Sequence, residues 1–256
     1  LNLILSSESR AKSICILKPG ILNSKRFDLV IVPKHDKAPL AKNILVTSGS
    51  PNLIDAVYLE EKKQALLGKI PHLNSAKAKI GVLLGGNTKK SILDKESLDA
   101  FIEALKKNAE ALDTEILFTT SRRSSPELEK LAKARLSDFP RCKLLVVANE
   151  KNIPEAVGGI LALSKILIVS EDSISMVSEA ASSGKSVIVW RYKSGSQLNL
   201  SDKHDRFLKE LSDKNHIILA TAAELPQKIE DLFKGKVSTV LLNDREVIKK
   251  AVDLVI

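Results

Sequence analysis

Short apolar runs recur along the chain, and longer segments with helical periodicity separate them. The runs fall at residues 27–33, 43–49, 79–86, 115–120, 143–148, 165–170, 186–191 and 216–220. They are continuous rather than alternating, which is typical of parallel strands that are covered on both faces. The pattern therefore predicts an α/β protein.

The segments between the runs have the spacing of amphipathic helices. In residues 94–112, apolar side chains recur at steps of three and four, and Asp94 or Ser97 can cap the start of the helix. Pro126 opens a later helical segment at a position where its missing N–H costs nothing. Regular alternation of strands and helices predicts doubly wound, parallel sheets.

A domain boundary is predicted where Gly, Pro and Ser interrupt the pattern, between residues 66 and 78. Residues 73–256 contain six predicted strands and would form a complete Rossmann-like domain. Residues 1–72 contain only part of such a domain, and the chain does not begin with Met. We therefore expect the N-terminal domain to be incomplete in this chain.

Composition places the chain among globular proteins, with 44% hydrophobic and 28% charged residues. Its apolar runs are far shorter than the roughly 20 residues that a membrane-spanning helix needs. Cys15 and Cys142 do not have the spacing of a metal or redox motif. Buried, unreactive thiols suit a reducing compartment, and we predict a cytoplasmic protein.

The net charge of +9 predicts attraction to anions such as nucleotides or phospholipid surfaces. Nucleic acid is disfavoured because only 4% of residues are aromatic and the basic residues are dispersed. Peripheral contact with an anionic membrane, or with a lipid-linked acceptor, follows as a conjecture from the charge. The oligomeric state is left open.

Candidate chemistry lies after the strands, because ligands of open parallel sheets bind outside the carboxyl ends of the strands. After the run at 79–86, glycines let the backbone approach a ligand closely, and Thr and Lys can hold phosphate oxygens. This predicted set is Gly85, Gly86, Asn87, Thr88 and Lys89. The segment is neither a Walker A loop nor GxGxxG, and a simple tight turn is the alternative.

A second candidate follows the run at 115–120, where Ser121, Arg122 and Arg123 precede a helix. Guanidinium groups and the free N–H groups of a helix start suit a phosphate or pyrophosphate. The alternative is a capped helix with solvated arginines.

The third candidate lies between the runs at 165–170 and 186–191. Asp172 or Ser173 can cap a helix whose N–H groups point into the crevice, and serine hydroxyls can donate to a diphosphate. Glu179, two turns further on, can accept both hydroxyls of a ribose. The predicted set is Asp172, Ser173, Ser175, Met176, Ser178 and Glu179. A well-capped core helix is the alternative, but phosphate-suited groups at three strand ends favour a nucleotide pocket.

His35 and Asp36 follow the run at 27–33 and are the candidates for activating an acceptor hydroxyl. Adjacent residues seldom hydrogen-bond through their side chains, so a dyad is not implied, and a satisfied loop histidine is the alternative. His72, His204 and His216 have no companions at metal-ligand spacing. We predict neither a metal site nor a cofactor.

Five segments together resemble the mitochondrial fission ELM-type family: FDLVIVPKHD, NILVTSGSP, GVLLGGNTKK, LFTTSRR and SEDSISMVSEAASSGK. The resemblance covers nearly the whole chain, although members usually have an acidic residue where this chain has Lys34. It implies a GT-B-like arrangement of two Rossmann-like domains facing a cleft. It further implies metal-independent binding of a nucleotide sugar by the C-terminal domain, with Glu179 at the ribose and the serine-bearing helix start at the diphosphate. The segment LILSSESRAKSICILK resembles a strand, a turn and a helix.

These observations predict a glycosyltransferase-type protein that moves sugar from a nucleotide-diphosphate sugar to an unknown acceptor. The alternative is a non-catalytic nucleotide-binding or protein-interaction factor, since plant members of the family are discussed as organelle-division factors. A nucleotide-sugar epimerase is disfavoured because GxGxxG and a Tyr-x-x-x-Lys pair beside it are missing.

Overall fold

Two parallel sheets form the framework of the protein. The computed structural model describes residues 1–37, 39–88, 92–192 and 198–256. The smaller sheet consists of β1 (Ile14–Ile16), β2 (Leu29–Pro33) and β3 (Ile44–Thr47). The larger sheet consists of β4 (Lys79–Leu83), β5 (Glu115–Thr119), β6 (Cys142–Val146), β7 (Ile166–Ser170), β8 (Ser186–Trp190) and β9 (Ile218–Ala220). Each predicted run contains one of these strands, which confirms the predicted α/β class.

The larger sheet has the strand order β6-β5-β4-β7-β8-β9, and all its strand pairs are parallel. This is the order of a doubly wound nucleotide-binding sheet, in which the chain changes direction between β4 and β7. The carboxyl ends of these two strands therefore border the crevice where such sheets bind ligands.

Helices surround both sheets. Their bounds are α1 (Asn2–Ser9), α2 (Ala56–Lys69), α3 (Lys95–Ala111), α4 (Pro126–Leu136), α5 (Ala156–Leu163), α6 (Ile174–Ala181), α7 (Lys203–Asp213), α8 (Leu225–Phe233) and α9 (Asp244–Asp253). Short 3₁₀ helices span Ser24–Arg26, Lys34–Asp36 and Pro71–Leu73. Of the two predicted caps of α3, Asp94 is the one that forms, because its carboxylate accepts the Ser97 N–H at 2.6 Å.

The core of the larger sheet explains its continuous apolar runs. Every residue of β4, β5 and β7 is buried, because helices cover both faces. On one face, Phe101 of α3 stacks on Trp190 at a centroid distance of 4.1 Å. On the other face, Leu66 of α2 lies in a cluster with α5, α6 and α7. Helix α2 thus packs on the larger sheet, and the division at residues 72 and 73 stays a prediction.

The smaller sheet joins the rest of the molecule through polar contacts after β3. The Asp244 carboxylate at the start of α9 accepts the Ser48 N–H at 3.1 Å and the Gly49 N–H at 2.6 Å. The Ser178 hydroxyl of α6 accepts the Ser50 N–H at 2.9 Å. The last helix of the chain therefore holds the smaller sheet in place.

The expected strand, turn and helix at residues 3–18 is wrong in its order. Residues Asn2–Ser9 form α1, and the strand β1 comes after it. Periodicity cannot distinguish helix from strand in such short apolar runs. Residues 14–16 form a strand because they pair with the edge of β2, where Cys15 lies opposite Val30.

Candidate functional site

The turns after β4 and β7 meet at the switch point of the larger sheet, and one buried carboxylate joins them. Asp172 accepts hydrogen bonds from the Ser170 hydroxyl at 2.6 Å and from the Gly86 N–H at 3.0 Å. The Arg123 guanidinium donates to the same carboxylate at 3.0 Å. The side chain of Asp172 is only 1% exposed. Asp172 therefore holds three separate loops at one edge of the sheet.

The glycines after β4 are needed for this close packing. A Cβ atom at Gly85 would lie 2.2 Å from the Asp172 carboxylate oxygens, and one at Gly86 would lie 2.1 Å from the Arg123 carbonyl oxygen. The Ser124 hydroxyl also donates to the Gly85 carbonyl at 2.6 Å. The two glycines thus allow the protein's own loops to pack closely, and their contact with a ligand stays a prediction.

The remaining residues of the first predicted set contribute differently. Asn87 is exposed, and its side-chain oxygen accepts the Leu93 N–H at 2.9 Å, which braces the loop. Thr88 is half-buried. Lys89 lies outside the described residues.

The two predicted arginines differ in their contacts. Arg123 is tied to Asp172 although its side chain is 48% exposed, so part of the side chain is open to solvent. Arg122 is exposed and makes no ion pair with a described residue. The Ser121 hydroxyl accepts the Arg123 N–H at 3.2 Å and thereby fixes the turn. Arg123 is therefore the better placed of the two for an anion at the switch point.

Helix α6 starts at the same edge of the sheet. Ser173 is its N-cap, and the hydroxyl accepts the Met176 N–H at 3.4 Å. Asp172, the other predicted cap, is engaged elsewhere. The free N–H groups of the first turn of α6 remain next to Asp172 and Gly86, where a helix start favours an anion.

One face of α6 opens into a cavity of about 230 Å³. Ser175 and Glu179, one turn apart on α6, line this cavity together with Asn52 and Tyr58. Burial raises the pKa of the Glu179 carboxyl. Burial and the negative charge of Glu179 raise the pKa of the Tyr58 hydroxyl. A partly desolvated carboxylate in a small cavity marks a candidate binding site.

Two members of the third predicted set have structural contacts instead. Ser178 is fully buried, and its hydroxyl donates to the Ile174 carbonyl at 2.8 Å while it accepts the Ser50 N–H. The Asp172 carboxylate is buried and already bonded to three donors. These contacts give both side chains a role in positioning the loops, and their contact with a diphosphate stays a prediction.

His35 and Asp36 lie at the carboxyl end of β2 but do not form a pair with each other. Asp36 forms an ion pair with Lys203. His35 is 6% exposed and packs edge-on against Phe207, with ring centroids 5.1 Å apart. Burial, together with the nearby charge of Lys203, lowers the pKa of His35 to about 4. The imidazole is therefore neutral at pH 7 and is a weak base.

Helix α7 connects His35 and Asp36 to the switch point. This connection was not predicted from the sequence. His204, in the first turn of α7, donates through Nε2 to the Asp172 carbonyl at 2.9 Å. Lys203 beside it holds Asp36. His204 was set aside because it lacked metal-ligand companions, and no local motif indicates that its helix folds back onto residue 172.

A buried ion network supports the same edge and was also missed. The Arg191 guanidinium pairs with Glu171, and it lies 3.5 Å from the Asp205 carboxylate of α7. The Tyr192 N–H donates to Glu171 at 2.8 Å. Glu171 directly precedes Asp172, so this network fixes the backbone from which the site is built.

The described residues contain no candidate for a metal site and none for a membrane-spanning helix. In residues 1–37, 39–88, 92–192 and 198–256, no group of three or more His, Cys, Asp or Glu side chains could hold a metal ion. In the same ranges, no helix has the length and apolar character to cross a membrane.

Fold and site together define an α/β protein of the GT-B-like class, with two parallel, Rossmann-like sheets. Within that class, the chain belongs to the family described as mitochondrial fission ELM1, whose model matches residues 3–250. The predicted family is thereby confirmed. A comparison with curated proteins finds no significant match.

Solved structures with the same fold are distant in sequence. UDP-GlcNAc 2-epimerase from Neisseria meningitidis, bound to UDP-GlcNAc, superposes with a TM-score of 0.57 at 15% identity, over 91% of this chain and 64% of that chain. UDP-GlcNAc 2-epimerase from Methanocaldococcus jannaschii gives 0.56 at 13% identity, over 94% and 66%. S. aureus MnaA with UDP gives 0.50 at 14% identity, over 90% and 61%. This chain thus spans somewhat less than two thirds of their length.

Proposed function

We propose that this protein binds a nucleotide-diphosphate sugar at the switch point of its larger sheet. The proposal is based on one observation above all: the loops after β4, β5 and β7 converge at Asp172, directly before α6, and Arg123 is bound there. Anion binding at such a convergence uses the free N–H groups of the helix and the guanidinium charge.

In this proposal the ligand extends along α6. The diphosphate lies at the N–H groups of the first turn of α6 and at Arg123. The ribose lies in the cavity beside Ser175 and Glu179, where a carboxylate can accept two hydroxyl hydrogen bonds. The negative charge of the leaving diphosphate is neutralised by these groups, so sugar transfer is proposed to need no metal ion.

We further propose transfer of the sugar to an acceptor, with His35 and Asp36 as the groups that would activate it. A second candidate is a nucleotide-binding protein without turnover. The second candidate is favoured by the low pKa of His35, about 4, and by the ion pair of Asp36 with Lys203. A base with so low a pKa is inefficient at removing the proton of a hydroxyl group at neutral pH.

Thermal unfolding with a panel of nucleoside diphosphates and their sugar conjugates, with and without EDTA, tests the binding proposal. A ligand at a hundred times its Kd stabilises the folded state by about 2.7 kcal/mol, which raises Tm by several degrees. We expect Glu179→Gln to abolish the shift, while the matched control Glu61→Gln, at an exposed position, keeps it. A panel in which no compound shifts the wild-type Tm would contradict the proposal.

The two predicted arginines are compared in the same assay. We expect Arg123→Gln to weaken the ligand-induced shift more than Arg122→Gln, because only Arg123 is tied to the switch point. Arg26→Gln, at an exposed position far along the chain, controls for the loss of one charge. Equal effects of all three substitutions would indicate a general charge effect.

Turnover distinguishes the two candidates. After a binding nucleotide sugar is identified, release of nucleoside diphosphate is measured with the wild type and with His35→Ala. Release that the His35 substitution suppresses, at unchanged ligand binding, supports transfer. Binding without release of nucleoside diphosphate, in the presence of candidate acceptors, supports the non-catalytic candidate.

A further inference from the structure

A second cavity, of about 460 Å³, lies between the smaller sheet and α7. One wall is the 3₁₀ helix Lys34–Asp36 with the next residue, Lys37, and the other wall is α7. It shares no lining residue with the cavity beside Glu179. A ligand in it would contact both halves of the molecule.

The walls of this cavity, which we call the α7 cavity, are strongly basic. Its cationic side chains are Lys34, Lys37, Arg206, Lys209 and Lys214. Two carboxylates, Glu210 and Asp213, also line it, so positive groups exceed negative groups by three.

Both carboxylates are already used by lysines of the same cavity. Glu210 lies 3.1 Å from Lys34 and 2.9 Å from Lys214. Asp213 lies 2.8 Å from Lys209. The acidic groups therefore do not neutralise the remaining two cations.

Lys37 and Arg206 form no ion pair with a described residue. The Arg206 guanidinium is held in place nevertheless, because its Nη1 donates to the Leu200 carbonyl at 3.1 Å and to the Ser201 carbonyl at 2.7 Å. A guanidinium with a fixed orientation and no carboxylate partner is prepared for an anionic ligand.

His35 adds an uncharged polar group to the same wall. It lines the cavity, is 6% exposed, and its Nδ1 has no hydrogen-bond partner among the described residues. The Nδ1 atom itself is buried, so His35 contributes other parts of its ring to the wall.

We propose that the α7 cavity binds the phosphate group of a second ligand, through Lys37 and Arg206. Compact ammonium charges and a guanidinium fork both suit phosphate oxygens. The cavity has the size of a small-molecule site, roughly 300–1,000 Å³. Leu200 and the aliphatic stems of the lysines supply apolar surface for the rest of the ligand. The identification of this ligand as the sugar acceptor rests on the proposed function.

The phosphate can come from a soluble metabolite or from a lipid headgroup, and two probes distinguish these sources. Glycerol 3-phosphate is titrated by calorimetry, and vesicles of phosphatidylcholine with and without phosphatidic acid are tested by cosedimentation. Saturable binding of glycerol 3-phosphate supports a soluble ligand. Binding to phosphatidic acid vesicles alone supports a lipid headgroup.

The test variant is Lys37→Gln/Arg206→Gln, and its matched control is Lys25→Gln/Arg26→Gln, which removes the same charge from exposed positions. We expect the test variant to raise the Kd about tenfold or more, since a charge-assisted hydrogen bond contributes about 1.5–3 kcal/mol. The control should stay within about twofold of the wild type, since screening leaves distant surface charges little influence. Equal losses in both variants, or no binding of either probe to the wild type, would overturn the proposal.

The same variants separate this site from the nucleotide site. Lys37→Gln/Arg206→Gln should keep the Tm shift by a nucleoside diphosphate, and Glu179→Gln should keep the binding of the phosphate probe. A wild type that binds the phosphate probe but no nucleotide contradicts only the proposed function. A wild type that binds a nucleotide but not the phosphate probe contradicts only the α7 cavity.

Discussion

The two sheets of this protein are both parallel, yet they are stabilised in different ways. Among the described residues, the larger sheet packs into two clusters of 22 buried hydrophobic residues each, whereas the smaller sheet has a cluster of three. The smaller sheet also leaves Ile16 60% exposed. Its position depends on Asp244, on Ser178 and on the contacts between residues 34–36 and α7.

The two proposed sites therefore differ in how firmly the surrounding structure is held. The nucleotide site is built on the edge of the larger sheet, where Asp172 and the Arg191 network fix the loops from within. The α7 cavity lies between the two parts, so its width depends on contacts that are largely polar and half-exposed. Weakening those contacts should change the width of the α7 cavity far more than the geometry of the nucleotide site.

Replacing the buried carboxylate of the larger sheet should have the largest effect on stability. Asp172→Ala removes an ion pair and two further hydrogen bonds and leaves Arg123 unpaired, so we expect the free energy of unfolding to fall by about 3 kcal/mol. Asp36→Ala, whose side chain is 22% exposed, should cost less than about 1 kcal/mol. Urea unfolding measures both, and equal losses would contradict the contrast between the two regions.

The buried histidine of the smaller sheet should make stability depend on pH. The folded pKa of His35, about 4, lies below its ordinary value of 6.5, so the unfolded chain takes up the proton first. Stability is therefore fully present above pH 6.5 and falls as the pH decreases from 6.5 to about 4, by about 2–3 kcal/mol for this group. Urea unfolding at several pH values should show a smaller decrease in His35→Gln. The control is His72→Gln, at an exposed position, and a pH dependence unchanged in His35→Gln would rule this origin out.

The junction between the sheets should unfold locally when the Asp244 carboxylate is removed. Asp244→Ala leaves the Ser48 and Gly49 N–H groups without their acceptor, at a cost of about 1–2 kcal/mol. Hydrogen exchange should then speed up in β2 and β3 but not in β4 and β7. Asp253→Ala, on an exposed position of the same helix, is the control. Equal loss of protection in both sheets would mean that they unfold as one unit.

The smallest expected change in stability is at Glu179. Its contribution depends on pH in the opposite direction to that of His35. Burial raises the folded pKa of this carboxyl, so its contribution to stability is largest at low pH and declines as the pH rises through that pKa. Glu179→Gln should leave the ligand-free protein equally stable or slightly more stable at neutral pH, within about 0.5 kcal/mol. Calorimetry at pH 7 checks this, with Glu61→Gln as the control. A marked loss of stability would show that Glu179 is a structural residue.

Much of the architecture could be predicted from the sequence alone. The continuous apolar runs identified the strands of the larger sheet, because strands covered on both faces need apolar residues at every position. Local capping was visible in part, since Asp94 and Ser173, each one of two predicted caps, are the caps that form. The edge that holds the candidate nucleotide site followed from the prediction of parallel strands, since their carboxyl ends meet at one edge of the sheet.

Contacts between distant segments could not be predicted in this way. The sequence placed Asp172 and Ser178 among ligand-binding groups, whereas the fold engages both in holding loops. It did not indicate that α7 returns to residue 172, or that residue 191 pairs with residue 171. It also placed a strand where α1 forms.

The sequence by itself determined most of the strands and helices and the family to which the chain belongs, because periodicity, caps and motifs are local properties. Only the tertiary structure decided how the polar residues are used. A buried carboxylate acts as a structural acceptor or as a ligand contact according to the donors that other segments bring to it. The same reason explains the α7 cavity: its cations come from residues 34–37 and 206–214, and only folding places them on facing walls.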